Sequence, residues 1–258
     1  MPKAVGPLQH PDLHPFICEI CGHKSVVPQS AFHRELPSCA ECGSTVRHRQ
    51  IVRAIAESRD ATRQPSDFRV LGMSDHPLVS RYCMEQGFDY QNTYFDEAPV
   101  LDICRPTPDY LETADVLISS DVLEHVMFPI GRALGGMRRV IRPGGMLILT
   151  CPYVLFGPST EHYPWMRDYV VQPNGSVIGI DWLGRERAVE DPFFHGGPGN
   201  TLEMRLLALD VLVDELDRAG FLQIQVHAES VPHLGIFPTD NMGVVVALAG
   251  SPSSGASK

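Results

Sequence analysis

ADVLISSDVLEHVMFPIGRALGGMRRVIRPGGMLILTCP, residues 114–152, decides the architecture of this chain. It opens on an apolar run, ADVLISS (114–120), and closes on a second, MLILTCP (146–152). Between them Pro129 opens a segment in which Ile130, Leu134, Met137 and Ile141 recur at offsets of four, seven and eleven, ending at Arg142-Pro143-Gly144-Gly145. That spacing puts the four side chains on one face of a helix. Two continuous apolar runs joined by an amphipathic helix read as parallel strands with a crossover, the unit of an α/β sheet covered on both faces.

The same alternation extends both ways. Towards the N-terminus lie a strand FRVLGM (68–73), a helix over Leu78–Gln86, a strand over Phe88–Phe95 and a short one around Val100–Ile103. Towards the C-terminus, Leu209, Leu212, Val213 and Leu216 share a helical face stopped by Gly220, followed by FLQIQVHA (221–228) and GVVVALA (243–249). The expectation is about seven strands, the last antiparallel, because the final two are joined without a helix. The polar, aromatic stretch from Tyr153 to Asn200 is too long for a simple connector and reads as a functional insertion. Boundaries follow as a ribbon with its linking helix over 14–59, a main domain over 60–250 with the insertion at about 153–200, and a flexible tail over 251–258.

With 258 residues, 43% hydrophobic and 20% charged, the chain can bury a sizeable core, which excludes wholesale disorder and a disulfide-stapled miniprotein. No run of about 18 apolar residues occurs and the start has no apolar signal core, so a cytoplasmic protein that neither crosses a membrane nor is secreted is expected. The formal charge is −10. Residues 1–59 hold seven Lys or Arg against five acids, about +2, leaving about −12 for the rest. This balance argues against a polyphosphate partner, and any nucleic acid would meet the N-terminal part.

Four of the seven cysteines fall in two pairs, Cys18-x2-Cys21 and Cys39-x2-Cys42, separated by 17 residues. Two residues between thiolates let one tight turn offer both sulfurs to one ion, and two such turns complete a tetrahedral S4 site. Each pair is followed by glycine (CEICG, CAECG), as a knuckle turn with positive φ requires. Four protein ligands leave no open position, so zinc here is structural. His14, His23, His33 and His48 lie nearby and read as surface or hydrogen-bonded histidines. Ser44 can cap a helix carrying Ile51, Val52 and Ile55, and Arg47 and Arg49 near its start could meet a phosphate or carboxylate, though they read rather as a solvated face or as paired with the acidic main domain. Cys83, Cys104 and Cys151 read as buried thiols.

The segments SSDVLEHV (119–126), RRVIRPGGMLILTCP (138–152) and ELDRAGF (215–221), in this order, resemble the S-adenosylmethionine-dependent methyltransferases with a Rossmann-like sheet. A CxxCG pair running into GSTVRHRQIV (43–52) is similar to the zinc-ribbon start of a bacterial small-molecule subgroup of them. The resemblance implies S-adenosylmethionine as cofactor and a polar acceptor such as a sugar or natural-product intermediate. It implies cofactor contacts at Gly72, Ser74 and Asp75 after the first strand, with a single glycine where the family has a GxGxG loop. It further implies Tyr94 or Asp96 at the ribose, Asp102 and Ile103 at the adenine, and Ser119, Ser120 and Asp121 beside the methionine moiety. General physics agrees, since open α/β sheets bind ligands at the carboxyl ends of their strands. The plainer readings are loop acids for Asp96 and Asp102, a turn cap for Asp121 and a structural role for Glu124 and His125.

Methyl transfer from a sulfonium rests mainly on positioning, but a hydroxyl acceptor must lose its proton, and His125, His162 and His195 are the candidate bases. STEHYPWMRDY (159–169) gathers Glu161, Tyr163, Trp165, Arg167 and Asp168 as a candidate substrate wall; alternatively its aromatic residues cover the sheet edge. A non-catalytic module whose ribbon docks a protein or nucleic acid, and methylation of RNA, are the competing readings; the charge near +2 on the ribbon is a poor footprint for RNA.

Overall fold

A computed structural model describes residues 13–28, 35–59, 62–127, 129–194, 201–237 and 243–250. The candidate base His195, His33 and the expected tail at 251–258 lie outside the described residues.

The described residues begin with an antiparallel pair, β1 (Leu13–Ile17) and β2 (Lys24–Pro28), and the first knuckle lies between them. The second knuckle leads into α1 (Val46–Ser58). Its cap is Thr45, extended at φ −87°, one residue later than expected. Ser44 is diverted because its hydroxyl lies 3.1 Å from Cys18 Sγ. Then follow β3 (Arg69–Met73), α2 (Pro77–Glu85), β4 (Asp89–Thr93), β5 (Ala114–Ser120), α3 (Gly131–Val140) and β6 (Ile141–Thr150). After six short strands, β7 (Tyr153–Val154), β8 (Thr160–Glu161), β9 (Met166–Val171), β10 (Val177–Asp181), β11 (Glu186–Val189) and β12 (Arg205–Ala208), the sheet resumes through α4 (Leu209–Arg218), β13 (Phe221–His227) and β14 (Val244–Ala249).

The main sheet has six strands in the order β13-β14-β6-β5-β3-β4. All neighbours run parallel except β14, which is antiparallel to both β6 and β13. The last strand is therefore antiparallel as expected, but the count is six among the described residues, not about seven. The expected strand at Val100–Ile103 is reduced to one bridge, Tyr94 to Val100. Pro99 has no N–H to donate, and Asp102 turns the chain by accepting the Cys104 N–H at 2.9 Å.

Strand side chains alternate between two cores, as a doubly covered sheet demands. Leu71, Leu117, Leu147 and Leu149 pack with Leu134 and Met137 of α3 and Leu212 and Leu216 of α4. Val70, Val116, Ile118 and Ile148 pack with Ile51, Val52 and Ile55 of α1 and Val79 and Tyr82 of α2. Phe16, Cys18, Ile20 and Cys39 belong to that second core, so the knuckles share apolar contacts with the sheet. On the other face α3 approaches the loop after β4 closely at Gly136, where a Cβ would stand 1.7 Å from the Ile103 carbonyl oxygen.

The insertion is not a loop. β9, β10 and β11 form an antiparallel meander, and β12 lies between β7 and β8. Tyr163, Met166, Val177, Leu202 and Met204 give it a small core of its own. No helix among the described residues is long and apolar enough to cross a membrane.

Candidate functional site

After β3 the chain crosses to one side to form β4, then returns to the other side to form β5, so the winding direction reverses between β3 and β5. Ligand crevices form at such points, outside the carboxyl ends of the strands. Met73 pairs with Ser119, which puts the exits of the two strands level. Both exits use left-handed backbone at a residue other than glycine: Ser74 at φ 56° and Asp121 at φ 51°. Such conformations cost of order 1–3 kcal/mol and persist where the surroundings impose them, commonly at functional sites.

At the β3 exit Asp75 folds back over Gly72, where a Cβ would meet its carboxylate at 2.3 Å and the Tyr90 hydroxyl at 2.4 Å. Glycine is required here because the chain's own polar groups fill that space. The Tyr90 hydroxyl donates to Asp75 Oδ2 at 3.1 Å, while Oδ1 is buried without a partner among the described residues. Burial pushes the Asp75 carboxyl up to about 7, against the opposing pull of the Tyr90 bond and the Arg47 charge. Asn92 completes the network: its Oδ1 accepts from the Asp75 N–H, and its Nδ2 donates to the Asp75 carbonyl and to the Tyr94 hydroxyl. Tyr94 thus sits at the β4 exit beside this network, whereas Asp96 is exposed. Asp102 is half-buried in its turn, and Ile103 is packed into the core beneath α3.

At the β5 exit Ser119 Oγ is buried without a partner among the described residues. Thr150 Oγ1 lies 3.2 Å from Ser120 Oγ and 3.1 Å from Asp121 Oδ1. Arg47 reaches this corner from α1, with Nη1 2.5 Å from Asp121 Oδ2 and 3.2 Å from Ser120 Oγ, and Nε 3.0 Å from Glu35. Beside it the His48 ring lies 4.5 Å from that of His76, which caps α2 by accepting the Leu78 N–H. Burial, then the neighbouring His76, Arg47 and Arg49, hold His48 down at about 4 and hence neutral near pH 7. Two adjacent strand exits therefore present orphaned buried oxygens, Asp75 Oδ1 and Ser119 Oγ, beside a cation and a carboxylate. A ligand carrying hydroxyls, an ammonium and a carboxylate fits that set, since each orphan costs about 1–3 kcal/mol until partnered.

The insertion is tied to the same end of the sheet. The Met204 N–H donates to the Glu124 carbonyl and the His162 N–H to the Met204 carbonyl. His125 Nδ1 donates to the Leu202 carbonyl at 2.7 Å, so its ring anchors the insertion through that nitrogen. Arg205, 1% exposed, grips Glu161 through Nε at 2.9 Å and the Leu123 and Val126 carbonyls through Nη1. Glu161 is therefore engaged in holding the insertion. Tyr163 is buried, its hydroxyl accepting from the Phe193 N–H at 2.7 Å. Trp165 lies beneath the Arg187 guanidinium and against Gly179. Arg167 and Asp168 are exposed on β9. His162 stacks on Phe193 at 4.8 Å and holds Nε2 3.8 Å from a Glu203 carboxylate oxygen. Asn92 and Arg205 carry much of this architecture, and their partners lie far along the chain or on the backbone, so no periodic pattern in the sequence marks them.

The four paired cysteines converge. All four sulfurs lie within 4.8 Å of one another, with Cys18 3.7 Å from Cys42 and Cys21 3.7 Å from Cys39. Metal–sulfur bonds of about 2.3 Å in a tetrahedron put the sulfurs about 3.8 Å apart, so the spacing fits one ion. The knuckles are near copies: the Gly22 N–H donates to the Cys18 carbonyl and the Gly43 N–H to the Cys39 carbonyl, with φ 73° at both glycines.

Residues 56–149 match the family model described as a methyltransferase domain. No curated protein matches the chain. Among solved structures it is similar to an S-adenosylmethionine-dependent methyltransferase from Mesorhizobium loti (16% identity, TM-score 0.42, covering 76% of this chain and 94% of that one). It is similar also to the glycopeptide N-methyltransferase MtfA complexed with S-adenosylmethionine (15%, 0.47, 78% and 93%). A third is the Burkholderia thailandensis 1,6-didemethyltoxoflavin-N1-methyltransferase (14%, 0.39, 80% and 88%). The matched residues span β3 through nearly all of β6, the strands whose exits form the crevice, and stop short of the knuckles and the insertion. Over residues 56–149 the chain is similar to a methyltransferase domain, and those residues build four parallel strands of a Rossmann-like sheet.

Proposed function

We propose that the chain transfers a methyl group from S-adenosylmethionine to a polar small molecule, a sugar or natural-product intermediate, and that a zinc ion on Cys18, Cys21, Cys39 and Cys42 holds the ribbon. The observation that carries the reading is the pair of orphaned buried oxygens, Asp75 Oδ1 and Ser119 Oγ, at the reversal point of a sheet whose sequence matches a methyltransferase domain.

Bound there, the cofactor supplies a methyl on a sulfonium, a leaving group already charged. The chain's own residues then have to bind, orient and exclude water. Ser119, Ser120 and Asp121 line the β5 side, and Gly72, Ser74 and Asp75 the β3 side. Tyr94, Asp102 and Ile103 follow at the β4 end, with Asp96 exposed beyond them. Methylation of a hydroxyl needs a base. Among the described candidates we assign the role to His162, whose Nε2 is buried and makes no hydrogen bond among the described residues, while His125 already gives its Nδ1 proton to a backbone carbonyl. Tyr163, Trp165, Arg167, Asp168 and Glu161 frame the acceptor side, the last indirectly through Arg205.

Calorimetric titration of the zinc-loaded chain with S-adenosylmethionine and S-adenosylhomocysteine tests the reading. Micromolar binding of both is expected; no heat at several temperatures together with no thermal shift would overturn it.

A further inference from the structure

We infer that Arg47, delivered by the ribbon helix α1, is the counter-ion for the carboxylate at the methionine end of the cofactor, so that the metal-bound knuckles complete the methyl-transfer site. This rests on the methyl-transfer reading.

Nothing in a parallel sheet requires an arginine at its carboxyl edge. Arg47 nevertheless stands over the β5 exit, held between Asp121 and Glu35. Its contacts to Asp121 and Ser120 run through Nη1 and its approach to Glu35 through Nε, and the Nη2 side of the planar fork takes the incoming carboxylate. Arginine suits that task because its fork matches two carboxylate oxygens. The surroundings select the ligand class. Arg47 is flanked by two carboxylates, so a phosphate dianion would meet repulsion from both. A zwitterionic amino-acid end fits instead: its carboxylate faces Arg47 and its ammonium faces Asp121.

The position of Arg47 is built by the cysteine cluster. Ser44 touches Cys18 Sγ and directly precedes the cap Thr45, whose N–H donates to His48 Nδ1. Arg49, fully buried, donates to the carbonyls of Ser44, Pro37 and Gly235, locking the first turn of α1 to the ribbon and to the far loop. Arg47 therefore projects from a turn fixed on both sides, and the order of the knuckles sets where its guanidinium lies.

The test uses the full, zinc-loaded chain and reads affinity. Wild type and Arg47→Gln are titrated with S-adenosylhomocysteine and with 5′-methylthioadenosine, which keeps the adenosine and sulfur but lacks the amino-acid end. The expected result is at least a tenfold loss for S-adenosylhomocysteine and less than a twofold change for methylthioadenosine. Equal weakening of both ligands, or no change in either, overturns the assignment while the methyl-transfer reading stands. Should the variant fail to fold, the decarboxylated analogue of S-adenosylhomocysteine on wild type decides: binding within threefold of the parent overturns the assignment, and a loss of tenfold or more supports it. If wild type binds none of these ligands, both readings fall.

Discussion

Replacing Asp75 by asparagine should make the protein more stable at neutral and alkaline pH and leave it unchanged in acid. Burial raises the folded-state carboxyl from an ordinary 3.8 to about 7. Below about pH 3 both folded and unfolded chains hold the proton and the group is neutral in effect. As pH rises the unfolded chain ionises first while the folded chain keeps its proton, so stability falls until about pH 7 and then levels off. Three units at about 1.4 kcal/mol each give a ceiling near 4 kcal/mol. Relaxation and water entry bring the expected loss to about 2 kcal/mol. For a chain of this size that is about 4–8 °C in melting temperature. An amide at this position keeps an acceptor for the Tyr90 hydroxyl and never ionises. Thermal unfolding of wild type and Asp75→Asn at pH 4.5, 6, 7 and 8 should therefore show a gap in favour of the variant that opens with pH and stays constant above about 7. A gap independent of pH, or a variant less stable at pH 8, would refute the argument that burial of this carboxyl governs the crevice.

Two further perturbations probe the packing. Cys39→Ser should abolish retention of about one zinc per chain in metal analysis and lower the melting temperature of the whole protein, because Cys39 shares a core with α1 and the sheet; a variant that keeps its zinc through gel filtration against chelator would refute the S4 site. Gly136→Ala should destabilise by about 1–3 kcal/mol or more, since its Cβ would collide with the Ile103 carbonyl, whereas Gly135→Ala, with open space around it, should be neutral or stabilising by up to about 1 kcal/mol; equal effects in denaturant unfolding would contradict the close approach of α3.

Those parts of the chain with a regular apolar period were legible. ADVLISS and MLILTCP announce strands because both sheet faces are buried and most of their side chains are apolar, and the stripe from Ile130 announces α3, though Ile141, expected on the helix, opens β6 instead. The cysteine spacing was legible because ligand geometry leaves few alternatives. The strands of the insertion give a weak signal because they are short and half-exposed, although Asn174-Gly175 between MRDYVV and VIGID is a hairpin signal and Gly175 adopts φ 83°. Val100–Ile103 misled in the opposite sense: its apolar residues serve a turn and the α3 contact, not a ladder. The positions of Arg47 and Arg205 were out of reach. Arg47 reads from sequence as solvated or paired with the main domain; the pairing is what forms, yet its partners at Ser120 and Asp121 lie 73 and 74 residues on, and no local pattern encodes such a contact.

Loss of the strand after β4 also shapes how the molecule meets copies of itself. With only one bridge beyond it, β4 becomes the edge of the main sheet, and β13 is the other edge. An open edge is a template for pairing with another chain. Here β4 reads DYQNT and β13 reads FLQIQVH, so both edges carry polar side chains, and β13 is further broken by an irregularity between Leu222 and Gln225 with Gln223 at φ 48°. Neither edge offers the flat apolar ribbon on which cross-β stacking grows, and the net charge of −10 adds repulsion between molecules. The chain could give up a sheet strand without becoming prone to aggregate, because the edge left behind was already polar.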